Sequence, residues 1–155
     1  MKKIILLFVV TIRLGYANAQ QLVGIWQYST AELSSGYIET YQFFSDGKFR
    51  FNTSQYDALA RIKTIGGKYK VENKRIVFFV EYTIEDEGGV PKIGEISSGS
   101  DSWAIMNGKR VKKHLLKVIK QYAELELSDK SRNPSWICIN RMKYYKVHNN
   151  PDNFN

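Results

Sequence analysis

Hydrophobic and polar residues alternate along most of the chain, and turn signals interrupt this alternation at short intervals. A period of two residues is typical of a β-strand that buries one face. Asp46-Gly47 predicts a tight hairpin turn, because both central positions of such a turn must accept a positive φ. On either side of this turn the aromatic residues share one face: Tyr41 and Phe43 before it, Phe49 and Phe51 after it.

Further segments repeat this pattern downstream. "GKYKVENKRIVFFVEYTI" predicts two strands around a turn at 72–74, and "SWAIMNGKRV" predicts two more around Asn107-Gly108. "AELELSDKSRNPSWICINRM" predicts a last pair, in which a longer loop leads into a strand over 136–142. No spacing suits parallel strands joined by helices, so the pattern predicts an antiparallel meander of about eight strands.

Three stretches fit this pattern less simply. Residues 109–122 have apolar residues at helical spacing, but the preceding Asn107-Gly108 and the β-branched Val118 and Ile119 favour a strand, which we expect. "QYDALARI" could form one helical turn at the edge of the sheet. "EDEGGVPKIGEISSGSDS" predicts a flexible loop, because it is rich in glycine and serine.

The first nineteen residues have the pattern of an export signal. Two lysines precede an apolar run over 4–12, and small residues stand before a cleavage site at Gln20. The run is shorter than the roughly 20 apolar residues that span a bilayer. Arg13 weakens the signal, which leaves an uncleaved N-terminal anchor as the alternative. We expect cleavage, and a protein exported to the periplasm or the extracellular space.

Cleavage would remove two lysines and one arginine, so the formal net charge would fall from +8 to +5. The remaining chain is predicted to form one domain over 20–146, followed by a polar tail over 147–155 that we expect to fray. Cys138 is the single cysteine, which excludes an internal disulfide. Ordinary packing must therefore hold the domain together.

A meander of this size is expected to close on itself, because closure removes the unpaired edges of the sheet. An up-and-down barrel of about eight strands has an interior just wide enough for side chains or for one small ligand. Aromatic residues of the predicted strands would line it: Tyr28, Tyr41, Phe43, Phe49, Phe51, Tyr69 and Phe79. They are either the walls of a ligand cavity or the side chains of a packed core.

The segment "LVGIWQYS" on the first strand adds a family resemblance. Gly24-Ile25-Trp26 resembles the G-x-W motif of lipocalins and of the wider calycin superfamily. With "FFSDGKF" and "GKYKVENKRIVF", the chain resembles small secreted lipocalin-like domains of Bacteroidetes-type bacteria over most of 22–143. The resemblance implies a lipocalin-like barrel in which Gly24 and Trp26 close one end. It also implies that an arginine of the last strand, matched here by Arg141, packs across the Trp26 ring.

The sequence contains few groups of the kind that catalysis or metal binding requires. His114 and His148 are the only histidines, and no His/Cys cluster with metal-ligand spacing or nucleotide-binding motif is present. Glu85, Asp86 and Glu87 stand beside two glycines, which predicts a solvated turn rather than an acid–base pair. We expect no catalytic residue, no metal and no cofactor. A barrel enzyme is the weakest of the functional hypotheses considered for this chain.

The lysine-rich stretch within 109–120 could be interpreted as a surface for nucleic acid or for anionic groups. It has few aromatic residues, and an exported protein rarely meets nucleic acid, so a solvated face that blocks edge-to-edge pairing is the simpler interpretation. We expect no nucleic-acid partner and no stable membrane span after signal cleavage.

Two functional hypotheses follow. The first is non-catalytic binding of a small, largely apolar or amphipathic ligand inside the barrel. The second is an interaction module, a packed barrel whose loops or basic edge contact a protein or a component of the cell envelope. A void in the interior favours the first hypothesis, and a filled interior favours the second.

Overall fold

The computed structural model describes residues 20–32, 38–95, 101–129 and 131–154 of the chain. Eight antiparallel strands follow one another in chain order, and β1 pairs with β8 as well as β2, so the sheet closes into a ring. The strands are β1 (Gly24–Tyr28), β2 (Thr40–Phe43), β3 (Lys48–Asn52), β4 (Ile62–Glu72), β5 (Arg75–Glu95), β6 (Asp101–Leu127), β7 (Trp136–Ile139) and β8 (Met142–His148). The predicted all-β meander of eight strands is confirmed, whereas the predicted export signal over 1–19 lies outside the described residues.

Two of the predicted turns lie where the sequence places them. Between β2 and β3, Gly47 has a φ of 80°, and the Phe44 N–H donates to the Lys48 carbonyl at 2.9 Å. Asp46 keeps a negative φ, so this turn is a longer one with a single left-handed glycine. Between β4 and β5, Asn73 and Lys74 both have a positive φ, as a two-residue hairpin turn requires.

The longest strands differ from the prediction. The expected loop over 85–102 is wrong where the structure describes it, at 85–95 and 101–102, and so is the expected turn at Asn107-Gly108, because these residues belong to one long hairpin, 21 residues of β5 and 27 of β6. Gly88 and Gly89, both with a φ of 67°, lie opposite Gly108 and Asn107, which has a φ of 62°. Left-handed residues on both strands distort the ribbon locally while the register continues. The expected strand over 109–122 is confirmed.

The β5–β6 hairpin is longer than the ring that it belongs to. β4 pairs with β5 only as far as Glu85, and β7 pairs with β6 only over Leu125–Leu127. The far half of the hairpin therefore projects from the ring as a two-stranded ribbon. The residues before β4 contact the base of this ribbon, because the Arg61 guanidinium donates to the Asp86 and Gly88 carbonyls at 3.1 and 2.6 Å.

The C-terminal tail is packed rather than frayed over its described part. Pro151 is buried, and its carbonyl accepts a hydrogen bond of 2.6 Å from the Gln42 amide. The segment "QYDALARI" forms successive turns and no helix. Over the described ranges, no helix has the length and apolar character to cross a membrane.

We predict that Gly67→Ala destabilises the protein strongly. A Cβ atom at Gly67 would overlap the Phe79 carbonyl oxygen on β5 and lie 2.9 Å from the Glu81 nitrogen, and backbone atoms cannot move aside cheaply. We expect the free energy of unfolding to fall by about 2–3 kcal/mol, measured by chemical denaturation. In the matched variant Gly108→Ala, the nearest atom is the Asp86 Cβ at 3.3 Å, and the loss should stay below about 1 kcal/mol. Equal losses would contradict the conclusion that the close approach of the β5 backbone requires a glycine at position 67.

Candidate functional site

Aromatic rings fill the interior of the ring of strands. The Tyr41 ring lies centrally, with centroid distances of 5.5 Å to Phe43, 4.7 Å to Phe51, 5.7 Å to Phe78 and 5.1 Å to Tyr144. These separations are those of aromatic pairs in direct contact. The rings therefore pack against one another rather than surround an open space.

Most of the aromatic residues predicted to line the interior do come together there. Phe43 contacts Tyr69 at 4.8 Å, and Phe49 contacts Phe78 at 4.7 Å, which extends the cluster around Tyr41. Tyr28 lies at the margin, about one-third exposed, with its ring 5.6 Å from that of Tyr144. Five of the seven predicted residues thus belong to the packed interior: Tyr41, Phe43, Phe49, Phe51 and Tyr69.

Phe79 is a correction to the predicted interior set. Phe78 and Val80 belong to the core, so Phe79 faces the other side of β5, where the Lys70 and Lys120 Nζ atoms lie 5.7 and 5.9 Å from its ring centroid. The prediction failed because residues 76–80 are apolar without interruption, and alternation cannot assign faces in such a run. Phe78 and Tyr144 are the interior aromatic residues that sequence reasoning missed.

The interior tyrosines bury their hydroxyl groups. The Tyr144 hydroxyl donates to Glu39 Oε1 at 3.0 Å, and the Tyr69 hydroxyl lies 3.5 Å from the Phe44 carbonyl. Burial is the main cause that raises the pKa of Tyr41 and of Tyr144, and it raises the pKa of Tyr69 to about 12. These hydroxyls are neutral structural groups at physiological pH.

Gly24 and Trp26 form one end of the interior together with a lysine of the last strand. Trp26 is buried, and its indole N–H donates to the Leu22 carbonyl at 2.6 Å. The Lys146 Nζ atom lies over the Trp26 ring, 5.3 Å from its centroid, and the two residues are register partners across the β1–β8 pair. A Cβ atom at Gly24 would lie 2.8 Å from the Lys146 Cε, so the glycine leaves room for the lysine stem.

Arg141 does not hold the position that the family resemblance implied. It lies in the exposed turn between β7 and β8, with a φ of 68°, because the predicted single strand over 136–142 ends at Ile139. Lys146, five residues later, supplies the cation over Trp26 instead. The expected arginine at this position is therefore wrong: a lysine of β8 lies over the Trp26 ring.

A cavity of about 500 Å³ adjoins Trp26 at this end of the interior. It is lined by residues 20–21, the end of β6, the β6–β7 loop, β7 and Lys146, so both polar and apolar side chains contribute to its wall. Trp136 also lines the cavity, and its indole nitrogen is buried without a partner among the described residues.

The acidic residues Glu85, Asp86 and Glu87 lie within β5 and form ion pairs with the neighbouring strands, which corrects the predicted solvated turn. Asp86 accepts a bond of 3.1 Å from the Arg110 guanidinium and lies 3.7 Å from the Lys63 Nζ. The bond from Arg110 is the main cause that holds the pKa of Asp86 below its ordinary value. Lys113 pairs with Glu85 at 2.6 Å and with Glu87 at 3.3 Å. These carboxylates therefore fasten β6 to β5 at the base of the projecting ribbon.

The outer edge of β6 is open over residues 106–123, which we call the open edge. β7 reaches only Leu125–Leu127, and no other described strand pairs with this side of β6. Near the tip of the ribbon the Ile105 N–H donates to the Ala58 carbonyl at 3.4 Å, so the free stretch starts after this residue. The register shift between Val80 and Tyr82 of β5 places residues 115–118 of β6 in a bulge, so the regular parts of this edge are 106–114 and 119–123. An unpaired strand edge is a template for pairing with another chain.

Metal or thiol chemistry finds little support in the described side chains. No group of three or more His, Cys, Asp or Glu residues is arranged there to hold a metal ion. Cys138 is a free, partly buried thiol, and burial raises its pKa, which lowers its reactivity.

No protein-family model, curated protein or solved structure matches this chain. What the molecule can bind is therefore inferred from its own geometry and charge.

We predict that stability falls as the pH rises from about 10 to about 12. Tyr69 has a pKa near 10 when unfolded and about 12 when folded, so its contribution is complete below pH 10 and is lost through this window. In Tyr69→Phe, the loss of free energy of unfolding between pH 10 and pH 12 should be smaller by about 1–3 kcal/mol, measured by urea denaturation at each pH. Identical curves for Tyr69→Phe and the unmodified protein would refute the assignment.

Proposed function

We propose that this protein is an exported, non-catalytic interaction module that binds an extended, acidic segment of another protein along the open edge. The observation that carries this proposal is the unpaired stretch of β6 over 106–123. Strand addition at such an edge supplies affinity through main-chain hydrogen bonds and specificity through the alternating side chains. Export is supported by the signal pattern of residues 1–19.

The backbone directions on the open edge can be assigned from its lower end. The Glu124 N–H donates to the Asn140 side chain at 2.9 Å, and the Glu124 carbonyl accepts from the Asn140 N–H at 3.1 Å, so both groups point away from β5. Outward and inward groups alternate along a strand. Tyr122 and Lys120 therefore present their N–H and C=O groups outward, where a partner strand could bond to them.

The charge of the open edge selects the partner. Its basic residues are Lys109, Arg110, Lys112, Lys113, Lys117 and Lys120, and it contains no aspartate or glutamate. Arg110 and Lys113 are paired with β5, whereas none of the other four forms an ion pair with a described carboxylate. A second copy of this chain would bring lysines against lysines, which is unfavourable. An acidic segment would meet complementary charge.

Exposed apolar side chains provide the contact area on the same ribbon. Leu116 is fully exposed, and Ile119 is half exposed although it lies opposite the buried Val80 and shares its face. Tyr122 and Trp103 expose more than half of their surfaces. Large exposed apolar and aromatic residues beside cations are typical of protein interfaces.

The packed interior supports this proposal over that of a ligand carrier. The rings around Tyr41 occupy the space that an apolar ligand would need, so binding there would require the cluster to open. We also propose that the ring is lipocalin-like, on the support of Gly24 and Trp26 on β1 with a cation from β8 over the tryptophan.

We predict that a fluorescent peptide of alternating glutamate and valine binds the open edge, whereas the lysine–valine peptide of equal length does not. Binding should weaken as salt is raised, because much of the attraction is electrostatic. Amide hydrogen exchange should slow at Lys120 and Tyr122 in the complex, since their N–H groups become bonded. Fluorescence anisotropy and NMR-detected exchange measure the two effects.

Two double variants test whether peptide binding depends on the lysines of the open edge or only on the net charge of the protein. Lys117→Glu with Lys120→Glu should weaken the acidic peptide about tenfold or more, whereas Lys48→Glu with Lys143→Glu, which changes the net charge equally on other strands, should have little effect. Tyr122→Pro removes an outward N–H and should also weaken binding. Peptide binding without slower exchange at Lys120 and Tyr122, or equal binding of both peptides, would overturn the proposal.

A further inference from the structure

The cavity beside Trp26 is separate from the open edge and has the dimensions of a small-molecule site. Its volume is about 500 Å³, within the range in which proteins commonly bind small molecules. Its lining combines the apolar side chains of Trp26, Leu127 and Ile137 with polar side chains that include Ser128 and Lys146. An amphipathic molecule would match this combination.

Lys146 is the charged group of this cavity. It lies on the interior side of β8, opposite Trp26, and is partly buried. No described carboxylate forms an ion pair with it. Desolvation by the surrounding protein lowers the pKa of Lys146. An anion beside this ammonium would supply the missing partner.

Ser128 adds a hydrogen-bond donor at the cavity wall. Ser128 is more than nine-tenths buried, and its hydroxyl oxygen accepts a bond of 3.0 Å from the backbone N–H of Trp136. No described acceptor takes the hydroxyl proton of Ser128, so this proton is available to a ligand. Lys146 and Ser128 are thus a cation and a neutral donor on the wall of one cavity.

We propose that this cavity binds a small amphipathic carboxylate, whose head group is held by Lys146 and Ser128 and whose apolar part contacts Trp26, Leu127 and Ile137. The site is distinct from the aromatic interior, because the rings clustered around Tyr41 are not among the residues that line the cavity. It is also independent of the open edge, and either proposal can fail alone.

Octanoate and 1-octanol are suitable probes, because they share an alkyl chain and differ in the charged head. We would titrate each into the Trp103→Phe variant of the full chain and follow the fluorescence of Trp26 and Trp136, the two tryptophans at the cavity. Octanoate should bind saturably, and octanol should bind about tenfold more weakly or less well, because a charge-assisted hydrogen bond is lost.

Two lysines of β8 provide a matched pair of variants. Lys146→Met keeps the length of the side chain and removes the charge, and it should weaken octanoate about tenfold or more while leaving octanol unchanged. Lys143→Met, which removes a cation from the other face of β8, should change neither affinity more than about twofold. Equal affinities for octanoate and octanol, or an unaltered octanoate affinity in Lys146→Met, would overturn the proposal.

A measurement on the unmodified protein tests the site even if the Lys146→Met variant does not fold. Brief acetylation of the unmodified protein, read by peptide mass spectrometry, should label Lys146 and Lys143 in the absence of octanoate. Saturating octanoate should protect Lys146 several-fold and leave Lys143 unchanged, because only Lys146 lines the cavity. Equal labelling of Lys146 with and without octanoate, or no saturable binding up to about 1 mM, would also refute the site.

Discussion

The packing of aromatic rings around Tyr41 is the constraint on which the rest of this structure depends. A ring of eight strands encloses little space, and here rings from β2, β3, β5 and β8 meet within it at centroid distances of 4.7 to 5.7 Å. Burial of these side chains is the main favourable contribution to folding in a chain that cannot form an internal disulfide. Because the same rings occupy the interior, specific binding is left to the surfaces and to the end of the ring.

The second constraint is the unequal length of the strands. β5 and β6 continue far beyond their neighbours, and the ring closes through β7 only over Leu125–Leu127. A long free edge ordinarily favours aggregation, and lysines along that edge oppose the pairing of two identical copies. The same lysines do not oppose an acidic strand. One set of charges can thus prevent self-association and allow a different partner.

Local sequence signals predicted the fold better than they predicted the site. Alternation and the turn at 72–74 are short-range features, and both lie where the sequence placed them. Asn107-Gly108 misled, because a positive φ serves a distorted ribbon as readily as a turn, and only the partner strand decides between them. Phe79 misled because an unbroken apolar run hides which face is buried. The open edge is invisible in the sequence, since it arises from strands that end elsewhere.

The Gly24-x-Trp26 motif predicted a real contact, a cationic side chain over the Trp26 ring, but indicated the wrong residue for it. The motif combines a glycine without a Cβ atom at position 24 with an indole ring two residues later, and a long cationic side chain passes over both. Arg141 in the β7–β8 turn and Lys143 and Lys146 on β8 are the cations of this region, and which of them reaches Trp26 depends on where the turn falls. The turn at residues 140–141 turns Lys143 to the outer face, over Trp136, and places Lys146 opposite Trp26. A lysine is a weaker match than an arginine for stacking on an indole, but its compact charge is better suited to pair with a small anion beside the ring.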